Sequence, residues 1–134
     1  MKTESEIIQI ARKTLQLEAE AITGLANSIN NDFSVIINTI LQLKGRVIVT
    51  GIGKSAIIAQ KIVATFNSTG TPSIFMHAAH AIHGDLGIIQ NEDLVICISK
   101  SGNTPEIKIL VPFLKQSGTI LIGMTGNCDS YLAK

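Results

Sequence analysis

Apolar residues at Ile7, Ile8, Ala11, Leu15, Ala19 and Ile22 keep the spacing of one helix face and predict a helix over residues 3–23. "NDFSVIINTILQLKG" repeats that period from about 32 to 44, with Gly45 as the natural stop. The pattern then changes. "RVIVT" (46–50) is a short, uninterrupted apolar run rich in β-branched residues, which predicts a buried strand feeding the tight turn "GIGKS". A helix is expected over 56–70, ended by Gly70 and Pro72, then a second strand at "SIFM" (73–76). "DLVICIS" (93–99) predicts a third strand, followed by "KSGNTPE" and a helix through about Ser117. "TILIGMT" (119–125) predicts a fourth, and "GNCDS" leads into the first residues of a last helix, whose Leu132 and Ala133 are expected to have little to pack against.

Strand, glycine or serine turn, and helix thus alternate, and the strands are apolar throughout. This predicts an α/β fold: a parallel sheet with helices on both faces, preceded by N-terminal helices. The 134 residues suit one domain, with N-terminal helices at 3–44 and an α/β core at 45–134 that reads as incomplete at its C-terminal end. Right-handed crossovers place every loop that follows a strand on one edge of the sheet, where ligands bind in such folds.

Composition narrows the function. Charged residues make up only 16% and the formal net charge is +1, so nothing draws the chain to nucleic acid or to an anionic membrane. Four phenylalanines, one tyrosine and no tryptophan also argue against base-stacking modules. No apolar run reaches the roughly 18 residues of a membrane span, and "MKTESEIIQIARK" is charged where a signal peptide is apolar. Cys97 falls in a predicted strand and Cys128 in a late loop, with no metal-binding spacing and no disulfide expected. A cytoplasmic setting is the expectation.

Two loops suggest an anion. "GIGKS" is not a triphosphate-binding loop, because the required glycine five residues ahead is Ile48. Nor does it complete a dinucleotide fingerprint: Gly51, Gly53 and Ala56 fit, but Met76 and His77 stand where an acid is needed. What remains is a glycine turn and Lys54 at a helix start, which favour an anion or are simply a tight turn with an exposed lysine. "SKSGNTPE" adds Ser99, Ser101 and Thr104 around Gly102 where another helix begins. Thr104 followed by Pro105 is a good helix start, and capping by its side chain explains that hydroxyl but neither serine. Without magnesium-binding acids, the set suits a phosphate monoester.

"TGIGKS", "STGTPSIFMH", "HGDLGII", "ISKSGNTPE" and "TGNCDSYLA" follow, in order and spacing, the sugar isomerase (SIS) domain of bacterial D-arabinose-5-phosphate isomerases. The resemblance runs from about Gly45 onward, and the N-terminal helices also fit. It implies a flavodoxin-like three-layer α/β/α fold and interconversion of D-ribulose 5-phosphate and D-arabinose 5-phosphate through an enediol, which supplies Kdo for lipopolysaccharide. It further implies that Gly53, Ser55, Ser99, Ser101, Gly102 and Thr104 bind substrate and that Lys54, His83 and Glu106 are catalytic. No cofactor is implied. The family associates, so the resemblance also implies a homo-oligomer, dimer or tetramer, whose active site is shared between subunits. Two departures stand out. The family reads "HPxEAxHGD", where this chain has Ala78 and His80, and it continues beyond position 134 with further active-site residues and a pair of CBS domains.

His77, His80 and His83 recur every third residue, which raises a metal. In a helix that spacing makes His77 and His80 neighbours and turns His83 away, and a zinc site generally needs three or four convergent ligands. No metal is expected. His77 reads as the cap of strand two, His80 as a solvated residue and His83 as an acid–base group. Two functions of different kind stay open: an isomerase, favoured by "GxGKS" with "HGD", and a non-catalytic phosphosugar-binding or regulatory module, favoured by the segments that the family has and this chain lacks.

Overall fold

A computed structural model describes residues 2–134. They form two compact units, one ending at Asn38 and one beginning at Thr39.

The first unit holds α1 (Glu4–Leu25), a 3-10 turn (Ala26–Ser28) and most of α2 (Asn31–Leu41). The opening of α1 is a capping box. Thr3 Oγ1 accepts the Glu6 N–H at 3.3 Å while Glu6 Oε2 accepts the Thr3 N–H at 2.7 Å, so two otherwise orphaned donors are satisfied. These backbone and hydroxyl bonds from Thr3 lower the Glu6 pKa. No residue of α1 is buried, and Ile7, Leu15, Ile22 and Leu25 are each more than half exposed.

The second unit is built on four parallel strands, β1 (Val47–Gly51), β2 (Ser73–His77), β3 (Leu94–Ser99) and β4 (Ile120–Thr125), in the order β2-β1-β3-β4. Between them run α3 (Lys54–Ser68), α4 (Ala78–Ala81) and α5 (Pro105–Gln116). Every residue of β1 and β3 is buried, as their uninterrupted apolar sequences require. Alternate residues serve opposite faces. Ile48, Val95 and Cys97 pack with Ala78 and Ala81 of α4 and with Ile107, Leu110, Val111 and Leu114 of α5. Val47, Val49, Leu94, Ile96 and Ile98 pack with Ala59, Ile62, Val63 and Phe66 of α3, and with Ile40 and Leu43. The three layers of the expected α/β/α fold are therefore present.

The chain reverses direction between β1 and β3. It leaves β1 for β2 on one side, then crosses back to β3 and on to β4. Right-handed crossovers put α3 on one face and α4 and α5 on the other for that reason alone. At the start of the edge strand β2, the Asn67 amide donates to Ser73 O at 2.9 Å and accepts the Ser73 N–H at 2.8 Å, taking the place of a strand partner at that residue.

The sequence expectations hold for all four strands, with differences at helix ends. The second helix stops at Leu41, ahead of Gly45, and α3 starts at Lys54, two residues early. The last segment differs more. Tyr131–Ala133 is a 3-10 turn, and Leu132 is only 7% exposed in the α5-side cluster, so it does not lack packing. Its backbone N–H donates to Gly102 O at 3.1 Å, which pulls the turn inward.

At the opposite edge of the sheet, Asp93 is the one fully buried carboxylate among the described residues. Its Oδ1 accepts the Arg46 N–H at 2.8 Å, and its Oδ2 accepts Arg46 Nη2 at 2.7 Å and the Gln90 N–H at 2.9 Å. Arg46 also donates to Ile88 O, so one ion pair ties the start of β1 to the loop before β3. Burial works to raise the Asp93 pKa, but the Arg46 guanidinium and the two backbone N–H groups outweigh it and hold the carboxyl below its usual value. A depressed folded pKa means that this stabilisation is complete above the unfolded value, about 3.9, and is lost as pH falls through the lower folded value. Asp93→Asn is expected to cost about 2 kcal/mol in urea unfolding at neutral pH. The gap between wild type and variant should narrow below about pH 4, and a gap independent of pH would count against the ion pair.

Candidate functional site

The C-terminal ends of the strands bring four loops to one edge of the sheet. Gly51 at the end of β1 aligns with His77 on β2 and with Ile98 on β3, and Ser99 aligns with Thr125 on β4. The reversal of strand order lies between β1 and β3; open α/β sheets bind ligands in the crevice beyond such a reversal, which here falls between "GIGKS" and "SKSGNT".

Gly53 is the N-cap of α3, at φ +57° and ψ −127°, a backbone region that only glycine occupies without strain. A Cβ there would meet nothing within 4 Å, so the restriction is purely conformational. No side chain caps α3 and no acid sits in its first turn. Its N-terminus is left with the partial positive charge of the helix dipole, beside an exposed Lys54 and a half-buried Ser55.

Across the crevice, the hydroxyls are used differently from the expectation. Ser99, 3% exposed, accepts the Gly102 N–H at 3.1 Å through Oγ, and Ser101 Oγ accepts the Asn103 N–H at 3.3 Å. Local turn bonds therefore account for the two serines. Thr104 does occupy the N-cap of α5, with its carbonyl accepting the Lys108 N–H at 3.0 Å, but its hydroxyl makes no capping bond. That Oγ1 is buried with no hydrogen-bond partner. Side-chain capping does not explain Thr104: its hydroxyl is the one left free, as are those first-turn N–H groups of α5 that a cap would take.

The histidines separate as expected. His77 is the N-cap of α4, and its Nδ1 accepts the Ala79 N–H at 3.3 Å. Its ring lies 4.7 Å from that of His80, which is exposed. His83 follows in the next turn, also exposed, with its backbone N–H donating to His80 O. Because α4 and α5 cover the same face, His83 and the half-buried Glu106 lie on one side of the sheet, whereas Lys54 and Ser55 start the helix on the other. Among the described residues, no hydrogen bond or ion pair joins Lys54, His83 and Glu106, and no three histidines, cysteines or acids converge as a metal site would require. Cys97 is buried, which pushes its thiol up to about 12, while Cys128 is exposed in the last loop.

Sequence reasoning passed over Thr50, fully buried with an unpartnered hydroxyl, and Ser130, also fully buried. No local signal marks either. Thr50 reads as one more β-branched strand residue and Ser130 as a turn residue.

The fold defines an α/β/α domain in which two helix starts without a side-chain cap flank the sheet edge where the strand order reverses, one of them carrying a buried, unpartnered hydroxyl. The chain belongs to the SIS domain family, whose profile matches residues 40–134. It is 46% identical over all 134 residues to "Arabinose 5-phosphate isomerase KdsD" of Pseudomonas aeruginosa, of which it spans 41%. It is 42% identical over 126 residues to "Arabinose 5-phosphate isomerase GutQ" of Escherichia coli K12, covering 94% of this chain and 39% of that protein. Among solved structures, the protein c3406 of Escherichia coli CFT073, in complex with a sugar phosphate, superposes with a TM-score of 0.93 at 40% identity, over 98% of this chain and 70% of that one. The chain thus spans about two fifths of the curated relatives it matches.

Gly53→Ala is expected to destabilise the protein by about 1–3 kcal/mol, because backbone strain is the whole effect. Urea unfolding measures it, and an unchanged midpoint would mean that the turn relaxes freely.

Proposed function

We propose that this chain is the phosphosugar-binding domain of an aldose–ketose isomerase that interconverts D-ribulose 5-phosphate and D-arabinose 5-phosphate. The observation that carries the reading is the free, buried Thr104 hydroxyl at an uncapped helix start, beside the crevice at which the strand order reverses. Relatives named arabinose 5-phosphate isomerase, and a related structure in complex with a sugar phosphate, support it.

In this reading Ser55, Ser99, Ser101 and Thr104 surround the phosphate, with Gly53 and Gly102 letting the backbone approach. Ser99 and Ser101 accept local N–H bonds, which leaves each hydroxyl proton able to donate to a phosphate oxygen. The reaction removes a proton from the carbon next to the carbonyl, giving an enediol, and returns a proton to the former carbonyl carbon. A second proton moves between the two oxygens. His83 and Glu106 suit these transfers because one side chain can give a proton where the other takes it. The Lys54 ammonium stabilises charge on the enediolate oxygen. No electron leaves the substrate, so the reaction calls for no redox cofactor.

A second copy of the chain completes the assembly. The exposed apolar residues of α1 supply the surface, and the subunits share the site. The product feeds Kdo and lipopolysaccharide synthesis in the cytoplasm.

Ser99→Ala or Ser101→Ala should weaken D-arabinose 5-phosphate binding by about 1.5–3 kcal/mol in calorimetry. Lys54→Ala and His83→Ala should abolish interconversion in the complete protein while binding persists. Near-normal turnover in His83→Ala removes His83 from the chemistry, and binding without any turnover in the complete wild-type protein favours the non-catalytic module.

A further inference from the structure

The loop over residues 100–104 has few bonds of its own to hold it. Its local bonds, from Gly102 and Asn103 to the serines, close the turn without fixing where it sits. Apart from β3 at one end and the start of α5 at the other, its remaining hydrogen bonds come from one segment, Thr125–Leu132. Lys100 O accepts the Gly126 N–H at 3.1 Å, Gly102 O accepts the Leu132 N–H at 3.1 Å, and Asn103 Oδ1 accepts the Tyr131 N–H at 3.0 Å. Beneath them lies Ser130, fully buried. Gly102, at φ +64°, rests directly on it: a Cβ on Gly102 would collide with the Ser130 side chain and come within 2.9 Å of Thr125 Oγ1. The two hydroxyls, Thr125 Oγ1 and Ser130 Oγ, lie 3.5 Å apart.

We propose that Ser130 is a positioning residue for the anion-binding loop, setting the height of Gly102 and its neighbours over the sheet edge and so tuning affinity for the phosphate without touching it. This rests on the phosphate reading of the same loop. Removing the hydroxyl leaves a small gap under a loop still held by three backbone N–H donors, whereas a methyl added to this fully buried side chain must displace a neighbour, and Gly102 rests directly against it.

The test uses the full chain with two readouts, backbone amide NMR shifts and calorimetric titration with D-arabinose 5-phosphate and with inorganic phosphate. Ser130→Thr should move the amides of Ser101, Gly102 and Asn103, leave those of Ser55 and Ala56 in place, and weaken D-arabinose 5-phosphate binding about tenfold, with Ser130→Ala within about twofold of wild type. If Ser130→Thr does not fold, Ser130→Cys, which enlarges one atom, carries the same expectation at smaller amplitude. Unmoved loop amides, or shifts spread evenly over the domain, overturn the proposal. If wild type binds neither ligand, the phosphate reading falls, and the amides still decide whether Ser130 positions the loop.

Discussion

Two strands buried along their whole length, β1 and β3, lie side by side at the centre of the sheet, and the rest of the second unit is arranged to cover them. A strand buried on both faces needs a helical layer on each side, and a parallel strand needs a crossover to reach its neighbour. Both demands are met by sending the chain out from β1 in one direction and back through β3 in the other. The crevice at the sheet edge follows from this. It is where two crossovers part, and the two helix starts that flank it belong to opposite layers.

That geometry explains why the proposed chemistry divides as it does. The helix carrying Lys54 and Ser55 covers one face, and the elements carrying His83 and Glu106 cover the other. A ligand in the crevice would touch both layers, with its charge held by helix starts and hydroxyls and its reacting carbons between a cation and acid–base groups. The Arg46–Asp93 pair lies at the far edge of the same central strands, where it stabilises the scaffold away from the site.

The two serines and the threonine illustrate how spacing can locate a loop without deciding what each of its hydroxyls does. The loop lies at the C-terminal edge of the sheet, where β3 ends at Ser99. Which hydroxyl is free was not legible. Ser99 and Ser101 turn back onto the N–H groups of Gly102 and Asn103, because Gly102 adopts a left-handed turn that brings those donors within reach. Thr104 holds the capping position without making the capping bond.

By itself the sequence determined the four strands, the long helices α3 and α5 and the glycine turns, because apolar period and glycine conformation act within a few residues; the short α4 was not expected. It also suggested that His77 and His80 are neighbours if the segment is helical; the structure brings their rings 4.7 Å apart with His77 as the extended N-cap of α4. The tertiary structure alone decided that Leu132 is buried and that Ser130 lies beneath Gly102. Those contacts join segments nearly thirty residues apart. They exist because β3 and β4 pair in register, so that Ser99 and Thr125 stand side by side and the loops beyond them must share one small volume.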